Sequence, residues 1–467
     1  MHETSDNYSA RTDIEDIMED NYNVGIIGGG PGGYTAAIRA AQKGQNVILF
    51  ERAQLGGVCL NKGCIPTKTV MHCSDFYKSL KKAQKFGVNI SDKSYDYTKI
   101  FERKNDVVLK IQKSLIKLVQ SYNVQIVNSE AKLLKDNKIQ AENKIYNCDN
   151  VIIATGAKPL QVKGIESDGT FVLNSDDVLN LQNLPQNILI VGSGAIGVEW
   201  ARIFSALEKN VTVVELADTL LPLADIDVSK RLERLFKKDK IKFLTSTQID
   251  AVNGNTVAFS DGKSDDFDMI LAAVGREPVL PYCEVELTLE RKFIKVDEHF
   301  ETSQKNVYAI GDVNGKIQLA HSAIHQAISV VDYITEKKSV EFDKNKIPCV
   351  IYGNPEIAWV GKRSQDCADT NVKISTFPVG VLGKAQADDE IDGFVKVVSC
   401  DNKIIGAHVI SPEASALVQQ YALMIDNNLS PEDIEKTTFA HPTYSESVFE
   451  SILGLNNLAI NLPPVKD

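Results

Sequence analysis

Two cysteines stand four residues apart in the segment Gly56-Gly57-Val58-Cys59-Leu60-Asn61-Lys62-Gly63-Cys64. On a regular α-helix, five steps turn about 500°, which leaves the two side chains about 140° apart. A disulfide needs Cβ atoms roughly 3.5–4.5 Å apart. A bond between Cys59 and Cys64 therefore requires a distorted helix start, and Gly63 gives the backbone that freedom. Lys68 follows Cys64 by one turn on the same face, where its ammonium favours a thiolate. The segment predicts thiol redox chemistry.

Two other interpretations of this pair are open on spacing alone. A metal site would need a second Cys or His pair at ligand spacing, which the sequence lacks. Structural cysteines are the second alternative, and this is the interpretation we adopt for the remaining cysteines: Cys73, Cys148, Cys283, Cys349, Cys367 and Cys400. Eight cysteines in 467 residues are too few for a disulfide scaffold, and isolated reduced thiols are typical of a cytoplasmic protein.

A glycine-rich turn follows the first apolar run of the chain. Residues 23–27 predict a buried strand, and Gly28, Gly30 and Gly33 in the turn after it fit the pattern GxGxxG. The first glycine allows the tight turn, the second lets backbone approach a pyrophosphate, and the third lets helix and strand pack closely. A helix to Lys43 and a strand to Phe50 follow. Glu51 then stands where a carboxylate can bind a ribose hydroxyl.

The same pattern returns about 160 residues later, with Gly192, Gly194 and Gly197 in a turn between a strand at 188–191 and a helix to residue 207. Glu215 follows the last glycine by 18 residues, the spacing that also separates Gly33 from Glu51. Two dinucleotide sites predict one fixed redox relay and one diffusible partner, which favours FAD plus a nicotinamide cofactor. A carboxylate at 215 repels a 2′-phosphate, and no Arg or Lys follows at 216–218, so NAD is favoured over NADP.

The order of elements predicts two similar α/β domains in tandem rather than a solenoid. Residues 72–122 have an amphipathic helical pattern. After residue 346, strand-like stretches at 393–398 and 404–410 precede a helix over 412–427, and no glycine-rich turn recurs. This last part predicts a separate α+β domain.

Composition excludes several functional classes. The net charge of −11 argues against nucleic acid and an anionic membrane surface as partners, and is compatible with a basic protein partner. No run of about 18 apolar residues predicts a transmembrane helix. The first 21 residues carry seven acids against Arg11, unlike a targeting segment. We expect a solvated, disordered leader at 1–21.

The segment from Glu51 to Lys68 resembles the active-site motif of the class I flavoprotein disulfide reductases, also called pyridine nucleotide-disulfide oxidoreductases, and its Ile-Pro-Thr-Lys ending most resembles the dihydrolipoamide dehydrogenases among them. The resemblance covers about residues 22–460. It rests on further motifs at Ala154-Thr155-Gly156, Val274-Gly275-Arg276-Glu277-Pro278, Tyr308-Ala309-Ile310-Gly311-Asp312-Val313, Leu319-Ala320-His321 and His441-Pro442-Thr443-Tyr444-Ser445-Glu446.

The resemblance implies an α/β fold with tandem FAD- and NAD-binding Rossmann-like domains and a C-terminal α+β dimerisation domain. The implied boundaries are 22–156 for the FAD-binding domain, 157–275 for the NAD-binding domain, 276–346 for a central domain that completes the FAD site, and 347–467 for the dimerisation domain. The cofactor-binding residues implied beyond the two turns and their carboxylates are Lys68, Thr155, Gly156, Asp312, Ala320, Glu199 and Gly275. Glu199 resembles a residue near the nicotinamide.

His441 is one of seven histidines, so its presence alone indicates little. A thiol substrate needs a base, however, and histidine has a suitable unperturbed pKa. Glu446, five residues later, can bind one ring nitrogen and fix the tautomer. The resemblance assigns the pair to catalysis and brings His441 to Cys59 from the other subunit of a homodimer.

The implied reaction is the NAD-dependent oxidation of protein-bound dihydrolipoamide through FAD and the disulfide of Cys59 and Cys64. The implied partner is the lipoyl-bearing acyltransferase of a 2-oxo acid dehydrogenase complex or the lipoyl carrier of glycine cleavage, and no metal is implied. The alternatives are another NAD(P)H-dependent disulfide reductase of the same class, or a non-catalytic FAD-binding redox sensor or assembly component.

Overall fold

The computed structural model describes residues 20–339, 341–368 and 371–464. The predicted acidic leader at 1–21 lies outside the described residues except for its last two positions, which begin the first strand. The helices are α1 (Pro31–Gln42), α2 (Gly57–Lys62), α3 (Cys64–Ser79), α4 (Tyr97–Ser121), α5 (Ala195–Ala206), α6 (Ile226–Lys238), α7 (Ala320–Glu336), α8 (Gly383–Asp388), α9 (Ala414–Asp426), α10 (Pro431–Glu435) and α11 (Glu446–Leu453).

The strands in the first half of the chain are β1 (Asp20–Ile27), β2 (Val47–Phe50), β3 (Gln125–Val127), β4 (Ala131–Leu133), β5 (Lys138–Ala141), β6 (Lys144–Ile153), β7 (Ala157–Pro159), β8 (Val172–Leu173), β9 (Asn187–Val191) and β10 (Asn210–Val214). Those that follow are β11 (Lys242–Leu244), β12 (Ile249–Asn253), β13 (Thr256–Phe259), β14 (Ser264–Asp266), β15 (Met269–Ala272), β16 (Arg276–Pro278), β17 (Tyr282–Cys283), β18 (Leu289–Glu290), β19 (Phe293–Ile294), β20 (Val307–Ala309), β21 (Cys349–Ile351), β22 (Glu356–Gly361), β23 (Val372–Pro378), β24 (Phe394–Cys400) and β25 (Lys403–Ser411).

The chain divides into two compact units. The described part of unit 1 is 20–57, 114–156 and 278–339, and that of unit 2 is 58–113, 157–277, 341–368 and 371–464. This division is coarser than the domain boundaries expected from the sequence, which stay a prediction.

Unit 1 contains a sheet in the order β17-β4-β5-β6-β1-β2-β3, with β20 also paired to β6. The four strands β20, β6, β1 and β2 run parallel to one another, whereas β5 pairs with β6 in the antiparallel direction. Their apolar side chains are buried, as expected for parallel strands that are covered on both faces. Helix α1 packs against α7, and Arg39 and Asp332 join them through a bidentate ion pair at 2.8 and 2.9 Å. The carboxyl ends of the four parallel strands therefore meet at one edge.

Unit 2 contains a second parallel sheet, in the order β11-β10-β9-β15-β8, and a three-stranded antiparallel sheet of β12, β13 and β14. Helix α5 follows β9, and α3 packs against α5. The core between them includes Trp200 and Phe204, whose rings are 5.1 Å apart. The helix that carries Cys64 is thus fixed to the helix that follows the second glycine-rich turn.

Unit 2 also contains an antiparallel sheet in the order β21-β22-β25-β24-β23. Helices α9 and α11 pack on it, with Tyr421 and Tyr444 buried in its core. This is the α+β region that the sequence predicts after residue 346, and the α/β fold class is confirmed.

The helical pattern predicted over 72–122 is wrong in its middle. Helix α3 ends at Ser79 and passes into a 3-10 helix over Leu80–Phe86, and α4 begins only at Tyr97. Gly87 ends the 3-10 helix in the left-handed region at φ 78°. Asp96 accepts hydrogen bonds from the Thr98 and Lys99 amides at 2.9 and 3.4 Å and so starts the next helix.

Candidate active site

The first glycine-rich turn lies at the carboxyl edge of the parallel sheet of unit 1. Gly28 follows β1 with φ 106°, and a Cβ there would lie 2.4 Å from the carbonyl oxygen of Ala154. A Cβ at Gly33 would lie 1.8 Å from the oxygen of Gly28, so both positions require glycine. Gly30 is different, because a Cβ there meets no atom closer than 3.9 Å. That atom is the Cα of Gly57, so no side chain crowds the backbone of Gly30 at the start of α1.

Glu51 follows β2 at the same edge. One carboxylate oxygen accepts from the Gly29 amide at 2.8 Å, and the other accepts from the Ala53 amide at 2.8 Å. These bonds fix the carboxylate beside the turn and leave each oxygen with further acceptor capacity. The position suits the recognition of a ribose hydroxyl.

The other residues predicted for the first nucleotide lie beyond the ends of two further parallel strands of unit 1. Thr155 and Gly156 follow β6, and the Thr155 hydroxyl donates to the Val279 carbonyl. Asp312 follows β20 in the 3-10 helix Gly311–Asn314, and Ala320 is the first residue of α7. The structure therefore brings to one edge the loops that carry all eight residues predicted for this site in unit 1.

The second glycine-rich turn has nearly the same geometry within unit 2. Gly192 follows β9 with φ 99°, and a Cβ there would lie 2.6 Å from the oxygen of Ala273. A Cβ at Gly197 would lie 1.9 Å from the oxygen of Gly192. A Cβ at Gly194 meets nothing within 4 Å. Gly275 follows β15 at the same edge, with its carbonyl accepting from the Leu160 amide at 3.0 Å.

Glu215 follows β10 and repeats the bonding of the first carboxylate. It accepts from the Ser193 amide and the Ala217 amide, both at 2.8 Å. The Ser193 hydroxyl adds a third bond at 2.7 Å, and this contribution was missed by sequence reasoning although the serine stands inside the glycine pattern. Leu216, beside it, is 73% exposed. Residues 216–218 include no Arg or Lys, so this stretch supplies no cation for a 2′-phosphate.

The redox pair lies where the helix breaks. Cys59 is in α2, Cys64 is the first residue of α3, and Gly63 between them has φ −148° and ψ −111°. A Cβ at Gly63 would lie 3.0 Å from the oxygen of Val58, which is tighter than nine in ten real Cβ contacts. The distortion expected from the spacing is present, and it brings the two thiols within hydrogen-bond distance of each other.

An ion pair stands behind the cysteines. The Lys68 ammonium on α3 contacts both carboxylate oxygens of Glu199 on α5, at 2.8 and 2.9 Å. The Glu199 side chain is 6% exposed, and that of Lys68 is 31% exposed. The two residues were predicted separately for cofactor binding. Their pairing was not predicted, because 131 residues separate them.

The two thiols differ in acidity. The hydrogen bond from Cys59, together with the Lys68 ammonium, lowers the pKa of Cys64 to about 7 against the opposing effect of burial. The same hydrogen bond, together with burial, raises the pKa of Cys59. Cys64 is therefore the thiolate of the reduced pair near neutral pH, and Cys59 holds the proton. A position at a helix N-terminus also favours the Cys64 anion.

His441 and Glu446 are also brought together. The Nδ1 atom of the histidine and the Oε1 atom of the carboxylate are 2.8 Å apart. The Thr443 amide donates to the other carboxylate oxygen at 2.9 Å. Although burial opposes it, the hydrogen bonds from His441 and Thr443 lower the pKa of Glu446. The carboxylate thereby stays charged and orients the ring.

The imidazole itself points outward, with its side chain 75% exposed. Among the described residues, the structure records no contact of His441 with Cys59 or Cys64. The loop of His441 also contains the buried Tyr444, whose hydroxyl donates to Asp388 at 3.0 Å and holds the loop in place.

The described residues lack two further kinds of feature. No group of three or more His, Cys, Asp or Glu side chains is placed to hold a metal ion in the described ranges. In those same ranges, no helix has the length and apolar character needed to cross a membrane.

A family model described as pyridine nucleotide-disulphide oxidoreductase matches residues 22–327. The chain belongs to this family. The family's dimerisation domain matches residues 347–452, so the chain carries that domain as well. Within the family, both turns fit a dinucleotide, because Gly30 and Gly194 leave open backbone at helix starts that no side chain caps.

Relatives of this oxidoreductase are similar over nearly their whole length. A dihydrolipoyl dehydrogenase of Bacillus subtilis is 35% identical, over 95% of this chain and 100% of the relative. A dihydrolipoyl dehydrogenase of Chlamydia muridarum is 33% identical, over 96% of this chain and 100% of the relative. The crystal structure of LpdA from Mycobacterium tuberculosis matches with a TM-score of 0.88 and 24% identity, over 93% of this chain and 99% of that one. This last likeness supports the fold.

Proposed function

We propose that this oxidoreductase is an NAD-dependent dihydrolipoyl dehydrogenase, which converts dihydrolipoamide and NAD⁺ into lipoamide, NADH and a proton. The observation that carries the proposal is the hydrogen-bonded pair of Cys59 and Cys64 at the helix break, with Lys68 behind it. The names of relatives that match along their whole length support the choice of substrate.

In the proposed reaction, His441 takes a proton from one thiol of dihydrolipoamide. The resulting thiolate attacks the Cys59 sulfur of the oxidised pair, and Cys64 leaves as a thiolate, which its low pKa favours. The second lipoyl thiol then displaces Cys59, which takes up a proton. The substrate dithiol has become a disulfide, and the protein disulfide has become a dithiol.

The family's cofactors are FAD and NAD. A bound FAD would supply a two-electron acceptor for the protein dithiol and a hydride donor for NAD⁺. We assign FAD to the turn of Gly28, Gly30 and Gly33 with Glu51, supported by Thr155, Gly156, Asp312 and Ala320. We assign NAD to the turn of Gly192, Gly194 and Gly197 with Glu215 and Gly275, and we place Lys68 and Glu199 next to the reacting cofactors.

A steady-state assay tests this function. Purified protein is supplied with dihydrolipoamide and NAD⁺, and in parallel with glutathione disulfide and NADPH. We expect turnover in the first assay only. Cys59→Ser and Cys64→Ser should both abolish it, whereas Cys73→Ser on the same helix as Cys64 should retain it. Activity only with glutathione disulfide and NADPH would contradict the proposal.

The working unit is a homodimer in which His441 serves the cysteine pair of the neighbouring subunit. The exposed imidazole and the matched dimerisation domain support this arrangement. Co-expression of Cys59→Ser chains with His441→Ala chains should restore activity, because one of the two sites in a mixed dimer is intact. With random assortment, recovery should approach about one quarter of the wild type. Verified mixed dimers without activity would refute the shared site.

The partner in the proposal is a lipoyl-bearing acyltransferase of a 2-oxo acid dehydrogenase complex or a lipoyl carrier of glycine cleavage. Turnover of each purified lipoyl domain, measured separately, distinguishes the two. The cytoplasmic location expected from the sequence stays a prediction that cell fractionation tests.

A further inference from the structure

Tyr352 contacts both members of the ion pair behind the redox cysteines. Its backbone amide donates to Oε1 of Glu199 at 3.1 Å. Its ring lies under the Lys68 ammonium, with 4.8 Å between Nζ and the ring centroid. Tyr352 directly follows β21, so a strand of the antiparallel sheet ends against the two helices that carry the pair.

The loop that holds Tyr352 is fixed to α5 at a second point. Arg202 lies one turn after Glu199, and its guanidinium donates to the Pro355 carbonyl at 2.7 Å. Gly353 has φ 132°, and a Cβ there would lie 2.7 Å from the guanidinium carbon of Arg202. Arg202 is 5% exposed. The buried Arg202 side chain thus fixes the loop to α5, which restricts the position of Tyr352 in the same loop.

Lysine needs such restraint to act on a neighbouring thiol. Its side chain has four rotatable bonds and can adopt many rotamers. The Lys68 side chain is 31% exposed, so water competes for its ammonium. Glu199 holds the ammonium from one side, and the face of the Tyr352 ring offers a cation–π contact from another. The two contacts together narrow the positions that the ammonium can take.

We propose that Tyr352 is a positioning residue for the redox pair, and that its ring and backbone amide hold Lys68 and Glu199 in place beside Cys64. This inference rests on the proposed function, since it extends the chemistry assigned to the same cysteines. It adds a residue from the loop after β21 to a site otherwise built from α2, α3 and α5. The burial of the tyrosine raises its own pKa, with Lys68 opposing, so the ring stays neutral.

Two substitutions at this position separate the ring from the hydroxyl. Tyr352→Phe keeps an aromatic face under Lys68, and Tyr352→Leu removes it. Both keep the backbone amide. Tyr97→Leu is the matched control, because Tyr97 is also a partly buried tyrosine packed against the same core cluster. Flavin content and dimer size by gel filtration verify that each variant folds.

The readout is the pKa of the Cys64 thiol. Holoenzyme is reduced with dithiothreitol and alkylated with iodoacetamide over about pH 5 to 10, and labelling of Cys64 is mapped by mass spectrometry. We expect Tyr352→Leu to raise the pKa by about half a unit, the scale of one partly exposed cation–π contact. Tyr352→Phe and the control should match the wild type. In a Lys68→Met background, Tyr352→Leu should cause no further change.

Three outcomes would overturn the inference: an unchanged pKa in Tyr352→Leu, an equal rise in Tyr352→Phe, or a full rise that persists without Lys68. If Tyr352→Leu accumulates without flavin, Tyr352→Met replaces it, because methionine refills most of the volume without a ring. The alkylation needs neither dihydrolipoamide nor NAD⁺. A protein that fails to oxidise dihydrolipoamide but shows the expected titration would refute the proposed function and leave the role of Tyr352 standing.

Discussion

A buried aspartate at the start of α6 offers a sharp test of what stabilises unit 2. Asp225 accepts from the Lys396 ammonium at 2.8 Å and from the Ser364 amide and hydroxyl at 2.9 and 2.7 Å. It also caps α6 by accepting from the Asp227 amide at 3.0 Å. The side chains of Asp225 and Lys396 are 0% and 4% exposed. The substitution Asp225→Asn removes the negative charge and preserves size and capping ability.

The expected cost follows from these contacts. Removal of one partner of a buried ion pair lowers the free energy of unfolding by about 3–5 kcal/mol, because the other charge stays buried without compensation. Lys396 retains a second carboxylate, that of Asp227 at 2.7 Å, which is 48% exposed. The cost should therefore lie near the lower bound, about 3 kcal/mol. For a protein of this size, that loss lowers the melting temperature by roughly 3 °C.

The double variant makes the reasoning testable. Replacement of a whole buried ion pair by apolar or neutral groups is often close to neutral. Asp225→Asn with Lys396→Met should therefore recover most of the lost melting temperature, as measured by thermal unfolding of the holoenzyme. Asp261→Asn is the control, because its ion pair with Lys263 lies in an exposed turn. A single variant that melts with the wild type, or a double variant that melts lower than the single, would refute the argument.

The same aspartate predicts a pH dependence. Although burial opposes it, the hydrogen bonds from Lys396 and Ser364 hold the pKa of Asp225 well below its ordinary value. Because the folded pKa is lower than the unfolded one, the stabilisation is present above about pH 4 and is lost as the pH falls below that value. The difference in melting temperature between wild type and Asp225→Asn should accordingly shrink in acid.

Two further predictions concern the site. Lys68→Met should raise the pKa of Cys64 by about one unit, because it removes a cation and leaves the buried Glu199 carboxylate without its ion-pair partner. Lys78→Met is the control, because it breaks a similarly exposed ion pair farther along α3. This control should leave the alkylation titration of Cys64 unchanged. Glu215→Gln combined with Leu216→Arg should shift the preference in kcat/KM from NADH toward NADPH, by about 2–4 kcal/mol of activation free energy. A wild type that already prefers NADPH would refute the assignment of NAD.

Local geometry explains what could be predicted from the sequence. The rotation of a helix over five residues predicted the break at Gly63, and a spacing of five predicted the bond between His441 and Glu446. The spacing of the glycines predicted both turns, because steric clashes with nearby backbone exclude any other residue at several of these positions. In each case the interacting atoms belong to one short segment, so composition and spacing contain the necessary information.

Contacts between distant segments could not be predicted in this way. Lys68 and Glu199 meet because α3 packs on α5, and no pattern within either helix indicates its partner. Tyr352 joins them from a third segment, 153 residues from Glu199. The irregular stretch after Gly87 was missed although the interruption is local. Amphipathic periodicity was judged over the long window 72–122, and such an average conceals a short break.

The near identity of the two glycine-rich turns has a consequence for how long each nucleotide stays. Gly28 and Gly192 differ by only a few degrees in φ, at 106° and 99°, and both carboxylates accept backbone bonds at 2.8 Å. If the first turn holds a resident FAD and the second an exchanging NAD, as proposed, this shared geometry cannot by itself account for a difference between their dissociation rates. In unit 1 the chain returns after residue 278 to add β20 and α7 beside the first turn. We therefore expect slow exchange of the first nucleotide to depend on that returning segment rather than on the glycine motif.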